Sequence, residues 1–296
     1  MVLATTRKCF GEQKISAAEE ALDILGANFE VQTVGLVTES GADVPMKKGV
    51  IRTDTNQVLG VVGNKYTPIQ NSTAFAFFDT ICKSTKATYE YGFLIDGGRQ
   101  VVLQARIGAD WEARKGDVVS NYITLINSHD GSLPHKAFFT PRRLFCMNQL
   151  RAALKSAVSE ISIRHTSRAD SKMVDALAIL NCAAEYFVEF KQTSQLLAQK
   201  IVDQKMINDF IESVFDDTES KNKNKQSAIE TVEMLFNSGK GNRGESAWDL
   251  YNGLTEYTDH YRYNHKADAE ALNAASALLT GADLKEKAWD FVTSLI

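Results

Sequence analysis

The apolar residues of this sequence change their period near residue 168. That change limits the chain to folds with a sheet-bearing first part and a helical second part. Before it, short apolar runs alternate with turn residues. Val31–Thr38, Val50–Thr53 and Gln57–Val62 read as strands, with Asp54-Thr55-Asn56 as the polar turn between the last two. Phe93–Ile95 and Gln100–Ile107 flank Asp96-Gly97-Gly98-Arg99, whose adjacent glycines permit the positive φ of a tight hairpin. Val118–Asn127 predicts a longer strand, pairing with Lys136–Thr140 across Ser128-His129-Asp130-Gly131, and Ile161–Arg164 reads as extended. Helical spacing appears at Ile15–Leu25 with Ser16 as cap, at Asn71–Cys82 with Asn71 or Ser72 as cap, and at Leu144–Ser159.

After the change, spacings of three and four dominate. Met173–Phe190, Met206–Val214, Ile229–Phe236, Trp248–Tyr257, Ala267–Leu279 and Leu284–Leu295 read as helices, and Asp216–Gln226 as an exposed loop. The expected fold class is α+β: an N-terminal hairpin-rich antiparallel sheet with helices, followed by a mostly helical C-terminal region. The expected division is an α+β core domain over 1–168 and a helical region packed on it over 169–296. A chain of 296 residues, 44% hydrophobic, suffices for a sizeable core.

Charge is distributed unevenly. Residues 1–130 carry 13 Lys+Arg against 15 Asp+Glu, residues 131–170 carry 7 against 2, and residues 171–296 carry 13 against 20. A basic centre thus lies between acidic flanks. It holds Lys136, Arg142, Arg143, Arg151, Lys155, Arg164 and Arg168, with His129, His135 and His165 beside them and Asn148 and Gln149 as amide donors. Arginine presents a planar fork of donors that matches phosphate oxygens, so the segment reads as a nucleic-acid backbone groove. The opposing reading is a solvated or internally paired charge run. Tyr66, Tyr89, Tyr91, Phe93 and Tyr122 are aromatics that stack on bases in single-strand binders, or else strand residues of a core.

Other patterns point away from catalysis. Ser128-His129-Asp130 is contiguous, whereas triad members meet in space from different segments, so a turn explains it better. Gly239-Lys240-Gly241-Asn242-Arg243-Gly244-Glu245-Ser246 approaches a phosphate-binding loop, but Glu245 stands where that loop needs lysine. The expected structure there is a glycine loop before a helix capped near Ser246. His260 and His265 are five apart, beyond the helical pair spacing of three or four. Cys9, Cys82, Cys146 and Cys182 form no CxxC pair, which argues against a zinc ribbon and for a reduced setting. Met1–Lys14 lacks an apolar signal core and no run is long enough for a membrane helix, so a cytoplasmic location without membrane partner is expected. No catalytic residue, metal or cofactor is assigned.

Six stretches in order carry a family resemblance: Gly63-Asn64-Lys65-Tyr66-Thr67-Pro68-Ile69-Gln70-Asn71; Asp96-Gly97-Gly98-Arg99; Asn127-Ser128-His129-Asp130-Gly131-Ser132; Thr140-Pro141-Arg142-Arg143 with Cys146 and Asn148; Ile163-Arg164-His165-Thr166; and Trp248 with Thr255-Glu256-Tyr257-Thr258-Asp259-His260. Together they resemble the phage/plasmid-like proteins grouped as domain of unknown function 932. The resemblance implies a mobile-element setting, where genes for single-strand DNA handling are common. The layout is also similar to that of phage annealing proteins, which assemble into rings or filaments.

The leading expectation is a mobile-element accessory protein that binds single-stranded DNA and promotes annealing in recombination or replication. Lys136, Arg142, Arg143, Arg151, Arg164 and Arg168 hold phosphates, His129, His165 and Asn148 make hydrogen bonds, and Tyr66 stacks on a base. One alternative is an interaction module, using the acidic helical half, that inhibits or recruits a host replication or defence protein. Another is a metal-dependent nucleic-acid enzyme drawing on His129, Asp130, His165, Asp259 and His260.

Overall fold

The computed structural model describes residues 6–10, 13–143, 146–147, 160–163, 183–215, 223–264, 273 and 282–296. The chain forms two compact units that interleave along the sequence, where a single boundary at 168 was expected. The first unit takes Met1–Gly108, Tyr122–Phe138 and Glu160–Asn181. The second takes Ala109–Asn121, Phe139–Ser159 and Cys182–Ile296.

In the first unit, β1 (Thr6–Cys9) pairs antiparallel with β5 (Thr88–Ile95), and β5 with β6 (Gln100–Arg106). Next in order come β8 (Val118–Ser128) and β9 (His135–Arg143), and β11 (Glu160–Ile163) pairs with β9. Strands β8 and β9 each run from one unit into the other. A separate antiparallel sheet holds β2 (Val31–Val37), β3 (Asp43–Arg52) and β4 (Val58–Gly63). The glycine hairpin is as expected: Gly97 and Gly98 have φ of 66° and 106° in a 3-10 turn, a region other residues enter at a cost.

Two helices complete this unit. Helix α1 (Ala18–Leu25) buries Ala18, Ala21, Leu22 and Leu25, a spacing that puts one apolar stripe toward the core. It stops at Gly26, which is left-handed. Ser16 does not cap it; the Ala18 N–H instead donates to the distant Asp79 carboxylate at 2.8 Å. Ile15, expected in this helix, bridges Tyr89 as a strand residue. Helix α2 (Asn71–Thr85) follows Gln70, whose side chain makes no capping bond. Neither Asn71 nor Ser72 is therefore the cap.

In the second unit, β7 (Trp111–Glu112) pairs with the start of β8, and β10 (Cys146–Met147) pairs with the end of β9. Cys146 and Met147 are thus in a strand where helical spacing was expected. Among the described residues this unit also holds the helices α3 (Ala183–Gln199), α4 (Gln204–Phe215), α5 (Lys223–Ser238), α6 (Ala247–Glu256) and α7 (Ala282–Thr293). Helix α5 takes in Lys223–Gln226, which had read as loop. Every residue of α6 is buried, which makes it the central helix of this unit. Phe190 stacks on Trp289 at 5.0 Å between centroids, and Tyr251 meets Trp289 edge-on at 5.1 Å. The expected helix Ala267–Leu279 lies, Asn273 aside, outside the described residues.

Candidate functional site

The motif-bearing residues of the first unit meet in a buried polar network. Strand β8 carries Asn127 inward, where an apolar residue would otherwise pack, and Asn127 is fully buried. Its amide Nδ2 donates to the Ile69 carbonyl and to Asn71 Oδ1, both at 2.9 Å. Asn71 Nδ2 donates in turn to the Ala27 carbonyl at 2.9 Å. His129 Nε2 lies 2.9 Å from the same Asn71 Oδ1, and its ring rests against Phe29. The first residue of α2, the end of β8 and the loop after α1 are thereby tied together. Buried amides must find such partners or lose hydration without compensation.

The loop after β8 is organised by Asp130. Its Oδ1 accepts from Ser128 Oγ at 2.7 Å, Ser132 Oγ at 2.6 Å and the Ser132 N–H at 2.9 Å, the pattern of an Asx turn. Ser128 hydroxyl and His129 ring thus serve different partners, which fits the turn reading of this contiguous trio. Tyr66 donates its hydroxyl to the Ser128 carbonyl at 3.0 Å. Burial and the nearby Asp130 charge push its phenol well above the usual range. Strand β4 presses on this loop so closely that a Cβ on Gly60 would sit 2.5 Å from the Asp130 Cα.

These placements alter the roles of two expected DNA contacts. His129 is buried and faces Asn71, and Tyr66 is half-buried and holds Ser128. Both shape the loop rather than present a surface. Lys136 is half-buried on β9 and pairs in register with Ser162 of β11. Arg142 and Arg143 end β9 and pair in register with Met147 and Cys146 of β10. Asn148, Arg151, Arg164, His165 and Arg168 lie outside the described residues.

In the second unit the glycine loop before α6 does cradle an anion, but it is the chain's own. The backbone N–H groups of Arg243, Glu245 and Ser246 donate to the Asp249 carboxylate at 3.2–3.3 Å. Ser246 caps α6 and forms a capping box with Asp249, as the sequence suggested for this serine. Arg114, two residues beyond β7, donates Nη1 to Asp249 Oδ2 at 3.0 Å, and its Nη2 to Asp249 Oδ1. Asp117 accepts from the Trp248 indole N–H at 2.8 Å. Burial opposes ionisation of Asp249, but the Arg114 guanidinium and the Ser246 donors overcome it and hold its carboxyl below the ordinary value. A phosphate would find these donors already taken.

The last motif lies in a π-helical turn, Tyr257–Tyr261. There Asp259 is buried and ion-paired with the buried Lys285 of α7. The pair engages one of the carboxylates weighed as a metal ligand. Among the described residues, no three His, Cys, Asp or Glu side chains are grouped to hold a metal ion. Among the same residues, no helix is long and apolar enough to cross a membrane.

Sequence reasoning missed Asn71 and Asn127 as network members, and Gln70, Arg114 and Asp249. The available signal was a polar residue at an inward position of an apolar strand, Asn127 after Leu125 and Ile126. No curated protein matches the chain, and no solved structure does. The model of one family, described as domain of unknown function (DUF932), matches residues 58–279, a span holding both the buried network and the Asp249 cradle. Over three quarters of its length, the chain therefore belongs to the DUF932 family.

Proposed function

We propose that this protein binds single-stranded DNA as an accessory factor of phages or plasmids, holding strands extended for annealing. The observation that carries the reading is strand β9. It carries Lys136 in its first-unit part and Arg142 and Arg143 in its second-unit part, within a segment carrying 7 Lys+Arg against 2 Asp+Glu. Cations on an extended strand follow a phosphate backbone without reading bases, which suits annealing because base edges stay available. The buried network sets the loop that leads into β9 and gives that strand a fixed start. The chemistry asks for no bond-making group. A fluorescence-anisotropy titration with a single-stranded oligonucleotide and its duplex tests the reading. Tighter binding to the single strand, lost in Arg142→Glu/Arg143→Glu with the fold retained by circular dichroism, is expected. Equal affinity of wild type and double variant contradicts it.

A second reading, a protein-binding module, is favoured by a groove in the second unit. Ile211 of α4 and Ile229 of α5 lie among its lining residues, with Glu212, Glu233 and one basic residue, Lys225, beside them. That combination suits an amphipathic basic helix. Loss of a host protein from the full-length chain on Glu212→Lys/Glu233→Lys would favour it.

A further inference from the structure

Strand β3 is irregular around Met46. Its Lys48 pairs with Gly35 of β2 and its Asp43 with Val37, so β3 takes more residues than β2 between these pairs and bulges there. Met46 lies in the bulge with φ of 63°. Three other non-glycine residues have positive φ among those described. Asn56 and Asp96 stand in turns, and Lys86 ends helix α2. Met46 differs in lying inside a strand. A left-handed backbone is costly for a residue with a long side chain, and it persists where the surroundings fix it. Asn64, the residue after β4, fixes it here. Its backbone N–H donates to the Met46 carbonyl at 3.2 Å, and its side-chain Nδ2 donates to the Met46 sulfur at 3.3 Å. The Met46 side chain is nonetheless 67% exposed, against 48% for Met234 of α5, and Met206 of α4 is half-buried.

Strain, exposure and an amide placed on the sulfur thus meet at one residue. We propose that Met46 is a peroxide-responsive modification site whose sulfoxide is held by the Asn64 amide. The sulfur lone pair attacks one oxygen of hydrogen peroxide, and the S–O bond forms as the O–O bond breaks. The displaced hydroxide takes the remaining proton and leaves as water, so sulfur is oxidised and the peroxide reduced. A thioether is a weak acceptor, whereas a sulfoxide is polar. The Asn64 amide already stands at the sulfur, so rotation of this exposed side chain gives the new oxygen a donor. Asn64 also opens the stretch that carries Tyr66 to the Ser128 carbonyl and Asn71 into the buried network. Oxidation therefore tightens the junction between β3 and that stretch, and sulfoxide reductases can reverse it. The inference does not depend on DNA binding.

The full-length protein treated with dilute hydrogen peroxide supplies the test. Peptide mass spectrometry should find the added oxygen on Met46 before Met234 and Met206. Hydrogen exchange then reads the clasp: the Asn64 backbone amide should exchange severalfold more slowly in the oxidised protein than in the reduced one. Reduction of the sulfoxide should restore the faster exchange. Asn64→Asp keeps the side-chain shape but replaces the donor with a carboxylate, and oxidation should not slow exchange there. Met46→Leu, treated alike, controls for oxidation elsewhere and should show no change. Met46 oxidised no faster than Met234 overturns the proposal. So does exchange in the wild type that is unchanged or quickened by oxidation, or slowing as large in Asn64→Asp or Met46→Leu.

Discussion

Arg114 and Asp249, 135 residues apart in sequence, form an ion pair, half-buried at the arginine and fully buried at the carboxylate, in which Nη1 of the arginine donates to Oδ2 of the carboxylate at 3.0 Å. The pair fastens the β7–β8 hairpin to the N-terminus of α6 inside the second unit, and explains why residues 109–121 belong to the helical unit. Removing the arginine alone strands a carboxylate that is fully buried. Arg114→Ala is expected to lower unfolding stability by about 3–5 kcal/mol, read from denaturant melts.

The same carboxylate gives the unit an acid sensitivity. Its carboxyl is held below the ordinary value of 3.8 in the fold, so its stabilisation is fully present above that value. The stabilisation is lost as pH falls through the lower folded value. Thermal melts between pH 5 and pH 2 should show this loss beginning near about pH 4, where an unfolded aspartate titrates. Asp249→Asn should flatten that part of the profile while lowering stability at neutral pH.

In the first unit, Asn71 Oδ1 serves both Asn127 and His129. Asn71→Ala leaves buried polar groups without that acceptor and is expected to cost about 1–3 kcal/mol. A double-mutant cycle with His129→Ala should show coupling of at least about 0.5 kcal/mol, because the two side chains touch. Additive losses would deny the network.

Gly60 tests the close approach of β4 to the loop around Asp130. The contact there is backbone, which cannot swing aside as a flexible side chain would. Gly60→Ala should destabilise by about 1–3 kcal/mol, an overpacking cost, measurable by urea unfolding.

The sequence reading located most strands well, and the reasons are local. Val118–Asn127 alternates on a half-buried surface, and the observed strand ends one residue later at Ser128. Gly97-Gly98 could serve few purposes other than a turn. The failures share a non-local cause. Asp79 supplies the donor's partner at the start of α1 from 61 residues away, so no local cap was there to find. Lys136 and Arg143 were legible as a basic run, but their placement on one strand depends on pairing with β11 and β10. The glycine loop was read as a loop before a helix capped near Ser246, and Ser246 does cap α6. That Asp249 fills the loop could be seen only once α6 was in place.

The central claim is that β9 holds phosphates, and the salt dependence of single-strand binding tests it most directly. Each phosphate contact contributes about 0.7 to the log–log slope of affinity against salt. Lys136→Ala, Arg142→Ala and Arg143→Ala should each reduce the wild-type slope by about 0.7, and the triple variant by about 2. Slopes unchanged in all three, or no binding by the wild type at low salt, would contradict the account.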